Sequence, residues 1–260
     1  MRMARLFDDA ALDRLEINSA VLTGTPLTMA CWFNSDSLTL TQCLMFLGDK
    51  DVTNQYFQLQ AAGAIAGDPV AALVESGTTG QAISSTGYSA NTWHHASAVF
   101  TSATSRTARI DGGSAGSNTA NTTPTGLDRT GIGRRGSSSA GLYMSGLIAE
   151  AAIWNVALTA AEIGVLADGF CPLFVRPSAL QAYWPLVGRY SPEISVFKGG
   201  FDLTVTGAVA GDHVRQIWKR KQRLIVPSPA VVAVGQPTMR RWGAIPGMPT
   251  TRPQIGARIG

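Results

Sequence analysis

The chain of 260 residues is 45% hydrophobic and only 15% charged, with a formal net charge of +4 at pH 7. This composition leaves ample material for a core and a sparsely charged surface, which suits a protein largely covered by partners. No stretch of about 18 consecutive apolar residues occurs and the first residues lack the apolar segment of a secretory signal, so we expect a soluble protein without a membrane span or Sec export.

Residues 1–212 predict a many-stranded β-sandwich. From Pro26 to Asn34, apolar side chains fall on both faces of an alternating segment, as in a strand buried on both sides. Asp111-Gly112 supplies the positive-φ dipeptide of a tight hairpin turn, and the 28 glycines of the chain indicate frequent turns, so we predict an all-β fold. Further strand-like segments follow at residues 55–60, 70–74, 93–100, 107–110, 131–133, 146–154, 179–184 and 201–205.

One short helix interrupts the strands. Thr159 can cap its first turn, and Glu162 three residues later completes a capping box. Gly169 can end the helix in the left-handed conformation after about two to three turns. Leu158 and Ile163 occupy the positions of a hydrophobic staple, so we expect the helix to fold back onto the sandwich in a structural role.

Six segments together carry a family resemblance. In chain order they are Pro26–Phe33, Asn91–Phe100, Arg109–Gly112, Gly131–Arg134, Gly146–Asn155 and Ala157–Ile163. In this order they resemble laminin-G-like, concanavalin-A-like jelly-roll domains, including those of tailed-phage virion structural proteins. The resemblance implies a jelly-roll β-sandwich with one short helix for residues 1–212. It leaves the function open, because this architecture hosts lectins, adhesins, hydrolases and assembly modules alike.

The resemblance does not supply a metal site. Members of the family often have an acidic residue where Ala149 stands, and only Glu150 remains at that strand. We therefore predict no cofactor, and a calcium site is not supported. For Glu150 we favour a structural carboxylate, with calcium or ligand binding as the alternative.

Three patterns typical of enzymes lack the residues that their chemistry needs. Gly131–Gly136 fits a dinucleotide-binding fingerprint, but the serine-rich residues 137–141 follow where a helix is required, so we predict a strand and a turn. His94 and His95 alternate in an apolar strand without an evident triad, which favours a structural pair. The Glu-x-Asp-x-x-Glu signature of glycosidases is absent, and we predict no enzymatic activity.

Charge is divided along the chain at Asp212. Residues 1–212 carry twelve Lys or Arg against seventeen Asp or Glu, whereas residues 213–260 carry nine Lys or Arg, six prolines and no acid. Proline opposes a regular helix or a central strand, so we predict an extended basic C-terminal arm. We expect the arm to dock on protein and disfavour nucleic acid, because no nucleic-acid-binding motif occurs. The predicted partner-binding residues are Arg215, Trp218, Lys219, Arg220, Lys221, Arg223, Arg240, Arg241 and Trp242.

Two functions follow from these features. Our main prediction is a phage virion structural protein of the capsid decoration or cement type, made in the host cytoplasm, whose arm attaches to neighbouring capsid or other virion subunits. The alternative is a glycan-binding adhesin module of a tail fibre or cell surface, with Tyr88, Tyr143 and Trp154 as candidate aromatic residues. We expect a homo-oligomer and no membrane partner.

Overall fold

The computed structural model describes residues 4–212, and everything below refers to this range. It contains fifteen β-strands, one α-helix and one short 3-10 helix at Pro172–Phe174. The strands are β1 (Ala4–Phe7), β2 (Arg14–Ile17), β3 (Leu27–Ser35), β4 (Thr41–Gly48), β5 (Gln55–Ala62), β6 (Pro69–Ser76), β7 (Thr79–Gly87), β8 (His94–Ser102), β9 (Ser105–Ile110), β10 (Gly116–Asn118), β11 (Arg129–Ile132), β12 (Gly146–Trp154), β13 (Leu180–Trp184), β14 (Thr204–Thr206) and β15 (Val209–Gly211). The helix α1 (Ala160–Ala167) lies between β12 and β13.

The strands form two antiparallel sheets, which confirms the predicted β-sandwich. Sheet A has the order β10-β9-β8-β3-β12-β1-β15, and β13 pairs with β12 beyond the end of β1. Sheet B has the order β14-β2-β11-β4-β5-β6-β7. Strands distant in sequence, such as β3 and β12, are neighbours, so the chain passes repeatedly between the sheets as in a jelly roll.

The core fills the space between the two sheets. In β3, Met29 and Phe33 are fully buried in this core, whereas Trp32 lies on the opposite, outer face of sheet A. Phe57 of β5 and Phe100 of β8 meet across the interior, with ring centroids 4.9 Å apart. Each such side chain contributes about 1.5–3 kcal/mol by leaving water, so alternation along the strands determines which face becomes the interior.

The predicted helix is confirmed, including its capping box. The Thr159 hydroxyl accepts from the Glu162 backbone N–H, and the Glu162 carboxylate accepts from the Thr159 backbone N–H at 2.8 Å. Gly169 follows the helix with φ +87, the left-handed conformation that glycine adopts without strain. Leu158 and Ile163 are both buried against the outer face of sheet A, so the helix covers that face.

The two outer faces are covered by different parts of the chain. On sheet A, Leu166 of α1 and the segment after the helix form a second apolar cluster with Val99 and Trp154. On sheet B, the loop of residues 133–145 packs Leu142 against Phe46. The short helix is therefore restricted to one side of the sandwich.

A buried ion pair ties the last described segment to the first strand. The Arg5 guanidinium of β1 donates to the Glu193 carboxylate at 2.8 and 3.0 Å and to the Ala208 carbonyl at 2.9 Å. Arg5 and Glu193 are only 4% and 2% exposed. These contacts join the end of the described range to its first strand. None of the helices in the described residues is long and apolar enough to cross a bilayer.

Candidate functional site

The glycine-rich segment that resembles a dinucleotide fingerprint forms a strand end and a turn. Gly131 belongs to β11, Gly133 follows with φ +85, and no helix occurs between residues 133 and 145. Arg134 donates to the Glu16 carboxylate at 2.6 and 3.0 Å and to the Tyr143 hydroxyl at 3.2 Å. The guanidinium therefore anchors the loop to sheet B, and the prediction of a strand and a turn is confirmed.

His94 uses both of its ring nitrogens within the sandwich. Nε2 accepts from the Ser89 backbone N–H at 3.1 Å, so Nδ1 carries the proton that it shares with the Asp111 carboxylate at 2.7 Å. Asp111 also accepts from the His95 backbone N–H at 2.7 Å. A general base needs a free nitrogen facing a nucleophile, so this geometry assigns His94 a structural role.

A cluster of three carboxylates stands at one end of sheet B. Oxygens of Asp49, Asp51 and Asp128 lie within 4.8 Å of one another. The Lys50 ammonium donates to Asp51 and to Asp128, each at 2.6 Å. Asp49 accepts from the Asp51 backbone N–H at 2.7 Å, which closes a turn. The Lys50 ammonium therefore links Asp51 to Asp128, and these contacts hold the loop.

Two of the three aromatic residues proposed for glycan contact are buried. The Tyr88 hydroxyl donates to the Ser37 carbonyl at 2.9 Å, and the Trp154 indole N–H donates to the Val175 carbonyl at 2.8 Å. Tyr143 is half-buried and lies 6.0 Å beneath the Arg134 guanidinium. These three rings do not form a common platform. The nine partner-binding residues proposed between Arg215 and Trp242 lie outside the described residues.

The structure instead brings together a narrow, nearly closed cleft on the outer face of sheet A, which has no room for a water molecule. Its polar residues come from three neighbouring strands: Trp32 from β3, His95 from β8 and Glu150 from β12. Trp32 is directly opposite His95 in the strand register, and the segment after α1 closes the other side. The full lining consists of Ala30, Trp32, His95, Glu150, Trp154, Leu166, Phe170 and Pro172.

Glu150 reaches the cleft because β12 is irregular at this point. The pairing of β12 with β3 shifts between Ala149 and Ala152, and Glu150 has φ +54, a left-handed conformation rare for this residue type. At the same place β12 exchanges its neighbour β1 for β13. Such outliers are maintained only where surrounding structure over-determines them, and they are frequent at functional sites.

A tyrosine beneath the cleft holds the Glu150 carboxylate. The Tyr183 hydroxyl of β13 donates to Glu150 and accepts from the Cys171 thiol, with sulfur and oxygen 3.6 Å apart. Burial, together with the neighbouring Glu150 charge, raises the pKa of Tyr183 far above its usual range. The hydroxyl therefore stays protonated and remains a donor to the carboxylate.

His95 presents a neutral imidazole in the floor of the cleft. The residue is 2% exposed, and its ring meets the Trp32 indole edge to face with centroids 5.5 Å apart. Burial lowers the pKa of His95 to about 4, and the opposing charge of Asp111 is a smaller effect. His95 Nδ1 and the nearby Ser97 hydroxyl, two residues along β8, are buried without a hydrogen-bond partner in the described structure.

Such unpaired atoms point to a missing partner. A buried polar atom left without a hydrogen bond costs about 1–3 kcal/mol, so native proteins contain few of them. Two lie on one face of β8, but Asp13, Gln42, Gln58, Arg106 and Thr122 in the described residues also have such atoms, so the pair is compatible with bound water and does not by itself mark a ligand site.

The sequence predicts two of the lining residues, Trp154 as a candidate aromatic and Glu150 with ligand binding as the alternative, but neither Trp32 nor His95 as a ligand contact. The signal present in the sequence was Trp32, an aromatic on the face of β3 opposite Met29 and Phe33.

Comparison with known proteins agrees with the fold. A laminin-G family model described as the concanavalin A-like lectin/glucanases superfamily matches residues 9–164. Among curated proteins, none matches the sequence. A candidate carbohydrate-binding protein from Bacteroides ovatus superposes with a TM-score of 0.59 at 18% identity, over 83% of this chain and 61% of that one. This chain thus spans less than two thirds of the Bacteroides protein.

A second solved structure matches this chain over almost its whole length. The heptameric SAP-like pentraxin of Limulus polyphemus superposes with a TM-score of 0.57 at 11% identity, over 82% of this chain and 95% of the pentraxin. At such identities the likeness establishes the architecture, whereas the site must be argued from the side chains.

Proposed function

Since the chain belongs to the concanavalin A-like lectin/glucanase superfamily, we propose that it is a glycan-binding module that uses the cleft on the outer face of sheet A. The observation that carries this proposal is the cleft itself, in which the half-buried Trp32 indole lies beside His95 and Glu150. The carbohydrate-binding description of the Bacteroides relative supports it. Both favour the glycan-binding alternative over a virion structural role.

The groups in the cleft match the chemistry of a sugar ring. A pyranose has an apolar face of C–H groups, which packs on an aromatic ring, and an edge of hydroxyl groups, which need hydrogen-bond partners. The half-buried Trp32 indole supplies aromatic surface, while the His95 imidazole and the Glu150 carboxylate, 2% and 5% exposed, lie beneath it. Binding sites of this kind combine apolar walls with a few well-placed polar groups.

The same lining favours binding over hydrolysis. Glycosidases cleave with two carboxyl groups, about 5–5.5 Å apart in retaining and about 6.5–9.5 Å apart in inverting enzymes. Among the residues that line the cleft, Glu150 is the single carboxylate. The Tyr183 hydroxyl donates a hydrogen bond to this carboxylate. We therefore include no catalytic step in the proposed function.

A glycan array with the full chain tests the proposal, read with and without calcium. We expect binding to at least one glycan class that is insensitive to calcium. Replacing Trp32 with alanine should weaken this binding at least about tenfold, because stacking on an aromatic ring contributes on the order of 1 kcal/mol or more. Tyr190→Ala is the matched control, because this ring is 58% exposed and does not line the cleft. Equal loss in both variants, or no binding by the parent protein, would contradict the proposal.

Attachment through the C-terminal arm stays a prediction from the sequence. The residues concerned, 213–260, lie outside the described range. The expected virion or capsid partners and the expected homo-oligomer likewise stay predictions from the sequence. Its test is separate from that of the cleft: deletion of residues 214–260 should abolish incorporation into virions. Unchanged incorporation, or absence of the protein from purified particles, would count against that role.

A further inference from the structure

An apolar row lies uncovered at one edge of sheet A. Leu147 of β12 is directly opposite Leu6 of β1, and Leu6 is directly opposite Val209 of β15. Residues directly opposite each other on paired strands project to the same face, so the three side chains stand side by side. Leu6 is 41% and Val209 is 55% exposed, and water therefore reaches a contiguous aliphatic surface at this edge.

The chain packs closely around this row without covering it. Gly211 follows Val209 on the same face, and a Cβ atom at Gly211 would lie 2.4 Å from Leu147 Cδ2. The opposite face of the same strands is closed, because Arg5 of β1 is 4% exposed and donates to the Ala208 carbonyl at 2.9 Å. The row is thus the open side of an edge whose other side is buried.

Strand β15 also lacks the features that protect an edge strand. Its residues Val209, Ala210 and Gly211 include no charge and no proline, and within the described range it pairs only with β1. At the other edge of sheet A, β10 lies against β7, since a Cβ atom at Gly116 would be 1.4 Å from the Ile83 carbonyl oxygen. Natural sheets cover, charge or pair their edges. We therefore expect a further segment to lie on β15 and its apolar row.

The chain itself supplies a segment at this place. It leaves the sandwich at Asp212, directly after β15, and residues 213–260 follow. The first apolar residues among them are Val214, Ile217 and Trp218. A segment tethered within a few residues of the row has a high effective concentration there, which a second molecule in solution does not reach. Chain connectivity therefore favours this segment over a second copy.

We propose that residues 214–218 cover the apolar row of Leu6, Leu147 and Val209 and thereby fix the start of the C-terminal arm on the outer face of sheet A. Val214, Ile217 and Trp218 would supply the apolar contact. Trp218 is then assigned to the chain's own domain, and Arg240, Arg241 and Trp242 are the arm residues left for partners. This inference does not depend on the proposed glycan binding.

Thiol labelling of the full chain tests the proposal. The three native cysteines are buried, so a cysteine introduced at the surface reacts with a maleimide without competition from them. Val209→Cys places a thiol in the apolar row, and Ile83→Cys is the matched control, an aliphatic position on edge strand β7 that is 42% exposed. We expect Val209→Cys to react at least about tenfold more slowly than Ile83→Cys, because the covering segment must open before the reagent enters. The rate should stay constant between about 1 and 100 µM protein, since cover by the same chain is intramolecular.

Two double variants of the full chain identify the covering segment. In the Val209→Cys background, Ile217→Ser with Trp218→Ser should bring the labelling rate to within about threefold of the control rate, because the apolar cover is lost. Trp242→Ser with Ile245→Ser removes the same two residue types farther along the arm and should leave the labelling slow.

The labelling rates distinguish the possible occupants of the row. Equally fast labelling at positions 209 and 83 of the full chain would overturn the proposal without the need for a further variant. Slow labelling that persists in the Ile217 and Trp218 double variant, or that the Trp242 and Ile245 double variant also relieves, would contradict the assignment to residues 214–218. Slow labelling that appears only as the protein concentration rises would overturn it in favour of a second copy of the chain.

Discussion

The outer faces of the two sheets both carry charged side chains, but the partners of these side chains differ between the two faces. On sheet B, the Arg134 guanidinium is paired with Glu16 and Tyr143, and Arg129 donates to the Asn18 side chain and the Gly136 carbonyl. These groups bind one another and hold the loop of residues 133–145 on the sheet. The exception among the polar groups is the Gln58 amide, which is buried without a partner.

On sheet A, apolar residues cover most of the outer face and the polar groups collect in one cleft. Ile163 and Leu166 of α1 seal the face, while His95 and Ser97 each keep an unpaired polar atom. The difference teaches that the number of charged residues is a poor guide to a binding site. Charges that satisfy each other stabilise the fold, and buried polar atoms without a partner occur on both faces, at Gln58 as well as at His95 and Ser97.

The largest expected effect tests whether α1 is integral to sheet A. Ile163→Ala removes a fully buried side chain from the cluster between α1 and the sheet, and we expect the free energy of unfolding to fall by about 2–5 kcal/mol. Urea denaturation followed by tryptophan fluorescence measures it. Val165→Ala on the same helix is the matched control, because Val165 is 37% exposed and should change stability by less than about 0.5 kcal/mol. Similar losses for both variants would contradict a specific role of Ile163 in sealing sheet A, because alanine raises helix propensity at both positions.

The next effect concerns the pH dependence of stability that the buried His95 causes. The pKa of His95 falls from 6.5 in the unfolded chain to about 4 in the folded protein, so the unfolded state binds the proton first as the pH decreases. The contribution of His95 is favourable to the native state above about pH 6.5 and is lost progressively down to about pH 4, at a cost of about 3 kcal/mol. The free energy of unfolding, measured by urea denaturation at several pH values between 7 and 4, should therefore fall more steeply with decreasing pH in the parent protein than in His95→Gln. Parallel pH profiles would show that His95 titrates normally and that the floor of the cleft is wet.

Much of the fold could be predicted because it depends on local patterns. The alternation in β3, the capping box at Thr159 and the turn at Asp111 each involve residues close in sequence, and the structure confirms all three. Six strands escaped prediction, namely β1, β2, β4, β7, β10 and β15. In β4 nearly every residue is buried, so alternation is hidden, while β7 is an edge strand with five exposed residues among nine.

The site could not be predicted because it depends on register and on one backbone irregularity. Trp32 and His95 are more than sixty positions apart and become neighbours only through the pairing of β3 with β8. Glu150 enters the cleft because β12 shifts register between Ala149 and Ala152, and no local pattern announces that shift. Tyr88 and Trp154, proposed from residue type alone, are both buried, although Trp154 lines the cleft. Residue type carries no information about which face a strand turns outward.

The smallest expected effect concerns sheet B. It would contradict the comparison if the substitution changed glycan affinity and left stability unchanged. Glu16→Gln removes the charged partner that Arg134 contacts at 2.6 Å, in a pair whose side chains are 11% and 18% exposed. We expect the free energy of unfolding to fall by about 1–3 kcal/mol, because a partly buried guanidinium loses a charge-assisted hydrogen bond. Glycan affinity should stay within about twofold of the parent value, since Glu16 does not line the cleft on sheet A. If Glu16→Gln abolished glycan binding while leaving urea denaturation unchanged, the loop of residues 133–145 would be the binding surface, and the paired charges of sheet B would have to be reassigned from fold stability to recognition.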